Sequence, residues 1–190
     1  MAKSAVQALS TPQERTLEAL RQMALLIGAS GFVAVCAWKG SISLLPLTPV
    51  PLTLQNFAVL LVGLLLGSRR AFAAMMVYLV AGIAGAPVFS PGLGGVAQLF
   101  GVTGGFLLAY PVVAFVAGWI FERGNRSFAR AAVAGIAAEA LLFAAGVTWL
   151  YAFTHSLSKA AYFGLYWFIA AEVIKIMAAA GIASRWRRTR

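Results

Sequence analysis

A chain of 190 residues that is 62% hydrophobic and only 11% charged, with its apolar residues in several long runs, excludes a soluble domain built on one amphipathic core. The formal net charge of +10 would suit a nucleic-acid binder, but the basic residues fall in short clusters between apolar runs with no aromatic-basic interleaving. The composition is that of an all-α polytopic membrane protein. A lone Cys36 inside an apolar run reads as packing and makes no intrachain disulfide, and a lone His155 near a loop reads as an interfacial residue. No H-E-x-x-H, no placed Ser/His/Asp set and no G-x-x-x-x-G-K-[ST] loop occurs, so neither an enzyme, a metal nor a cofactor is expected. Any pumping then draws on an ion gradient or on another subunit.

In chain order, residues 1–22 form a polar N-terminal segment without the pattern of a removable signal peptide. Within it Thr11-Pro12-Gln13-Glu14 supplies an N-cap, a proline at the first helical position and a glutamate at the third, which predicts a helix start. The first span is expected at 23–38. Its small residues, Ala24, Gly28 and Ala29 followed by Gly31, Ala34 and Ala37, leave a shallow face for another helix, either within this chain or on a coupling subunit that meets Ala24 and Gly28.

Residues 39–53 form a loop with Pro46, Pro49 and Pro51, apolar enough to pack. A second span, 52–67, carries Gln55 and Asn56 near its start, and Ser68-Arg69-Arg70 turns the chain into a third, 71–85. The loop at 86–102 is uncharged and glycine-rich; long loops of this kind are rarely idle, and Phe89, Leu93, Leu99 and Phe100 suit a cap hinged at Gly94 and Gly95 better than a spacer. Thr103-Gly104-Gly105 opens the fourth span, 103–121, with backbone N–H groups able to face a ligand. Arg123, Arg126 and Arg130 precede a fifth span ending near residue 153, with Glu139 inside it.

The sixth span, 160–184, holds Glu172 and Lys175 in an otherwise apolar run. An ionised side chain near a bilayer centre costs about 2.5–3.5 kcal/mol on insertion scales, which makes such residues functional candidates by default. Their i, i+3 spacing places both heads on one helix face, where they either pair merely to aid packing or jointly meet a ligand. At ~1.5 Å per residue, Glu139 and Glu172 each lie ~15 Å inside their spans. If the two spans face one another, two carboxylates and an ammonium converge near mid-bilayer, flanked by Trp149, Tyr166 and Trp167, in a pocket suited to a small carboxylate-bearing ligand.

Six transmembrane helices put both termini on one side. Lys3, Arg15, Arg21, Arg69, Arg70, Arg123, Arg126, Arg130, Arg185, Arg187, Arg188 and Arg190 then share that side, with only Lys39 and Lys159 opposite. The positive-inside rule makes the termini cytoplasmic and the two long uncharged loops external. The organisation expected is a segment at 1–22, a membrane domain at 23–184 and a basic tail at 185–190.

Three strings in order, Pro49-Val50-Pro51-Leu52-Thr53-Leu54-Gln55 with Leu60-Leu61-Val62-Gly63, then Gly85-Ala86-Pro87-Val88-Phe89, then Gly101-Val102-Thr103-Gly104-Gly105-Phe106-Leu107-Leu108, together with the acid-x-x-Lys pair of the last span, resemble the BioY family. These are the biotin-specific substrate-binding components of energy-coupling-factor (ECF) transporters. The resemblance runs from about Met23 to the end of the last span. It implies a six-helix S component in a bacterial cytoplasmic membrane that binds biotin from outside and joins a transmembrane coupling subunit and two cytoplasmic ATPases, although some members are thought to work alone. By the same resemblance Glu172 and Lys175 match the acidic and basic binding positions, and loop 86–101 matches the cover. The chain departs from the family at Val102, where proline is frequent, and at Ser90, Pro91 and Gln98, where Asn or Arg contacts are expected.

Biotin's chemistry agrees in outline. Glu172 can accept from ureido N–H groups, Lys175 can donate to a carbonyl or pair with the tail, and Gln98 can do either. The alternative is an ion-coupled secondary transporter of another small vitamin, with Glu139 and Glu172 carrying protons; a ligand-free assembly subunit is a third reading.

Overall fold

The structure, a computed structural model, describes residues 11–186; Lys3, Arg187, Arg188 and Arg190 of the expected basic side lie outside the described residues. Among the described residues there are seven α-helices: α1 (Pro12–Lys39), α2 (Gln55–Leu66), α3 (Ser68–Ile83), α4 (Gly104–Glu122), α5 (Phe128–Thr154), the short α6 (Leu157–Ala161) and α7 (Ile169–Arg185). A two-residue ribbon pairs β1 (Ser41–Ile42) antiparallel with β2 (Leu52–Thr53). It closes the base of the proline-rich loop.

The predicted start of α1 is present in full. Thr11 Oγ1 accepts from the Glu14 N–H at 3.3 Å, Glu14 Oε2 accepts from the Thr11 N–H at 2.7 Å, and Pro12 fills the first turn. The helix therefore begins inside the expected N-terminal segment. Ser127 caps α5 through the Arg130 N–H, and α5 closes on His155, whose φ of 48° puts it in the left-handed region.

Three helices, α1, α4 and α5, are each long and apolar enough to cross a membrane, and a fourth crossing follows if the bent pair Leu157–Tyr166 and Ile169–Arg185 is one span. The expected second and third spans are shorter than a bilayer is thick: α2 has 12 residues and α3 has 16. The expected sixth span is not one continuous helix either. Between α6 and α7 the chain widens into a π-helical turn at Tyr162–Tyr166, and the two halves meet at 43°.

Helix α4 runs through the middle of the bundle, with α3 and α5 against its flanks. Small residues let its neighbours approach: a Cβ on Gly63 would lie 2.7 Å from the Ala114 carbonyl oxygen. At one end of the bundle Glu122 accepts from the Ser68 backbone and hydroxyl, tying α4 to the α2–α3 turn. The start of α5 lies beside the end of α7 there, through Phe128 and Arg185. The opposite end carries the ribbon and the glycine-rich loop, with Gly92 seated on the Trp38 ring.

Candidate functional site

A cavity of about 530 Å³, mouth included, opens between the start of α2, the first half of α4 and the bent last span. Val50, Phe106, Leu107, Phe143 and Phe168 give it apolar walls, and Gln55, Asn56, Tyr110 and Glu172 bring polar groups to it. A few converging polar groups in apolar walls are the usual anatomy of a small-ligand site.

Glu172, in the first turn of α7, is the only ionisable carboxylate in the described lining. The break in the last span puts it near a helix N-terminus, where the backbone dipole favours a negative charge. Its Oε1 accepts from Lys175 Nζ at 2.7 Å and from Asn56 Nδ2 at 3.2 Å. Its Oε2 is buried without a protein partner. Lys175 also donates to the Thr53 carbonyl at 2.5 Å, so it clamps α7 to the ribbon's end while holding Glu172. It sits behind Glu172 rather than in the cavity wall.

The polar shell continues outward. Tyr110 donates to Asn56 Oδ1 at 3.0 Å, which orients the Asn56 amide so that its N–H₂ faces Glu172. Gln55 Nε2 donates to the Tyr78 hydroxyl at 2.6 Å, and Tyr78 donates to the Val88 carbonyl at 2.9 Å. Thr48 donates to the Phe163 carbonyl at 2.7 Å, where the π turn leaves its backbone available. Both outer loops are thus hydrogen-bonded to the elements that line the cavity.

The sequence-predicted residues divide. Glu172 and Ser90 line the cavity, as does Thr103. Gln98 lies higher, in an outer vestibule that adjoins the cavity and shares Pro51, Ser90 and Thr103 with it. Glu139 is 3% exposed, both of its oxygens lack partners, and it stands within electrostatic reach of Glu172, Lys175 and Tyr110, yet it does not line the cavity. The three ionisable groups lie near one another, but only Glu172 reaches the cavity, and Glu139 and Lys175 both stand behind its wall.

Three aromatic assignments are corrected. Trp149 is not a cavity wall: its indole N–H donates to the Gly101 carbonyl at 2.9 Å, and its ring packs on Gly104 and Gly105. Tyr166 is 64% exposed and stacks on Tyr162, because the π turn carries it to the outer surface of the bundle. Trp167 is likewise absent from the lining. The Gly104-Gly105 pair serves close packing rather than a bare helix terminus. A Cβ on Gly104 would lie 1.9 Å from the Leu99 carbonyl, and the Gly104 N–H already bonds the Gly101 carbonyl.

In the glycine-rich loop, Phe89 is 1% exposed and packs edge-on against Tyr78, which pins the loop into the core instead of spreading it over the ligand space. Gly94 passes so near the chain that a Cβ would meet the Ala86 carbonyl, and Gly95 has a φ of +96°. Ala24 and Gly28 lie on an exposed face of α1, in a groove shared with Leu61, Val62 and Leu65 of α2.

Asn56, Tyr110, Gln55 and the Thr53 carbonyl were not singled out from sequence as site groups. Adjacent amides opening an apolar helix were the signal for Gln55 and Asn56.

Apolar helices packed around a buried cavity with a carboxylate in its wall, with loops folded over its outer end, define a multi-pass helical membrane protein with an internal cavity. A model of the BioY family matches residues 6–190, and the chain belongs to that family. It is 37% identical over 166 residues to the "Biotin transporter BioY" of Thermotoga maritima, covering 87% of this chain and 97% of that protein. It is 35% identical over 154 residues to the "Probable biotin transporter BioY" of Pyrococcus horikoshii, covering 81% and 90%. Its fold matches the crystal structure of the S-component for biotin from an ECF-type ABC transporter with a TM-score of 0.80 at 22% identity, over 95% of this chain and 96% of that one.

Proposed function

We propose that this chain captures biotin from outside the cell and carries it across the cytoplasmic membrane as the substrate-specific component of an ECF transporter. The observation that carries this reading is Glu172: a carboxylate fixed by Lys175 and Asn56 through one oxygen, with the other oxygen unpartnered beside an apolar-walled cavity. Biotin's ureido ring presents N–H donors to that oxygen, and its thioether ring suits Phe106, Phe143 and Phe168. Ser90 and Thr103 meet the ligand higher up, and the part of loop 86–101 beyond the anchored Phe89 closes over it.

The full arrangement has six crossings in a bacterial cytoplasmic membrane, counting α2, α3 and the bent pair as one each, with both termini cytoplasmic. Support comes from the gathering of Arg69, Arg70, Arg123, Arg126, Arg130 and Arg185 into the connections and helix ends of one end of the bundle. Equilibrium binding of labelled biotin to the purified chain, with no ion gradient imposed, is expected to be saturable. Absence of binding to the folded chain removes this function, and binding without a gradient argues against the ion-coupled alternative.

A transmembrane coupling subunit and two cytoplasmic ATPases supply the energy. The open groove at Ala24 and Gly28 is the contact for the coupling subunit, supported by the free space at Gly28, where an added Cβ meets nothing within 4 Å. Ala24→Leu and Gly28→Leu fill that groove, so uptake and recovery of the complex should fall severalfold while biotin binding by the isolated chain stays unchanged. Equal loss of binding in both variants assigns the groove to internal packing instead.

A further inference from the structure

We infer that the outer vestibule does not read the carboxylate of the ligand's tail by charge, so that the substrate class includes biotin joined through its tail carbonyl to an amine. This rests on the biotin reading above. The unpartnered acceptor at Glu172 suits the ureido N–H donors and offers nothing to a carboxylate, which brings no donor, so the bicyclic head lies inward and the tail points to the mouth. The polar groups that line the vestibule for the tail are Ser41, Ser43, Ser90, Gln98 and Thr103; the Thr48 hydroxyl, also in its wall, is committed to the Phe163 carbonyl. All are neutral, and no Lys, Arg or His lines either the cavity or the vestibule among the described residues.

The cations nearest this end are held elsewhere. Lys39 lies over the Trp38 ring, 4.4 Å from its centroid, and Lys159 sits exposed near the start of α6. Lys175 is committed to Glu172 and the Thr53 carbonyl. Hydroxyls and a carboxamide donate to a carboxylate and to an amide carbonyl alike, and they also accept from an amide N–H, which a carboxylate cannot offer. The vestibule opens at the bundle end, so a substituent beyond the amide extends outward rather than into the core.

The test is competition against labelled biotin on the purified full chain, using biotin, its primary amide and its lysine amide. Both amides should compete within about threefold of biotin, whereas a charge-reading site disfavours them by about tenfold or more. Gln98→Arg, which places a cation in the vestibule, should restore a preference for biotin over its amide. If biotin binds and its amides fall tenfold or more behind, the inference is overturned and the biotin reading stands. In that event Lys39→Met, by abolishing the discrimination, identifies Lys39 as the charge responsible. Failure of all three ligands to bind overturns both.

Discussion

Glu172→Gln should lower biotin affinity about ten- to a hundredfold, the equivalent of about 1.5–3 kcal/mol for a lost hydrogen bond to a charged group. The amide keeps the shape but replaces the charged acceptor whose Oε2 is buried without a partner in the residue that lines the cavity. Lys175→Met should lower affinity on the same scale for a different reason. Without Nζ, Glu172 is a buried charge held only by Asn56, and the link from α7 to the Thr53 carbonyl is gone. Breaking a buried pair from one side destabilises by about 3–5 kcal/mol, so this variant should also melt earlier in detergent without ligand. The double variant removes both charges, and its ligand-free stability should recover substantially. Its affinity should not. Recovery of affinity together with stability in the double variant makes the pair scaffolding and moves the binding site elsewhere.

Gly105→Leu should act at a distance from the cavity. A Cβ on residue 105 would lie 2.3 Å from the Trp149 Cβ and 2.8 Å from the Ala145 carbonyl oxygen, so α4 and α5 must part or Trp149 must leave its place. Overpacking of this kind costs about 1–3 kcal/mol, and backbone in the contact leaves little room for relief. Trp149 holds the Gly101 carbonyl, so its displacement frees the inner end of the glycine-rich loop. Hydrogen exchange across 86–101 should then accelerate relative to α4 itself, and biotin should bind about tenfold more weakly, as for any site whose cover is no longer ordered. Loop exchange unchanged from the parent while the melting temperature falls would show that the glycine serves only the helix contact.

The sequence made some of this site readable because membrane depth prices charge so heavily. Glu172 and Lys175 stood out for that reason, and the structure pairs them. The capping box of α1 was equally legible, since its donors and acceptors lie within four residues. Helix rotation is what the sequence did not carry. Trp149 and Tyr166 were placed at the site by depth alone, and depth does not say which way a ring points. The Thr53 carbonyl is a backbone group with no residue type to announce it, and Asn56 gains its role only because α2 starts opposite α7. The short length of α2 was hidden too, because the apolar run of 52–67 takes in the ribbon strand that precedes the helix.

The wide turn at Tyr162–Tyr166 sets the phase of everything that follows it. Each residue advances an α-helix by about 100°, so losing one residue from that turn would swing the start of α7 by roughly that angle. Glu172 and Lys175 would then leave the cavity side together, still paired with each other and useless to a ligand. Length variation in this segment is consequently far less tolerable than substitution, and an evolving chain that tightened the turn to an ordinary helix would have to shift the acid-x-x-Lys pair along the sequence in the same step. Five residues that touch the ligand space only through Gly164 thereby constrain the inheritance of a pair that begins six positions further on.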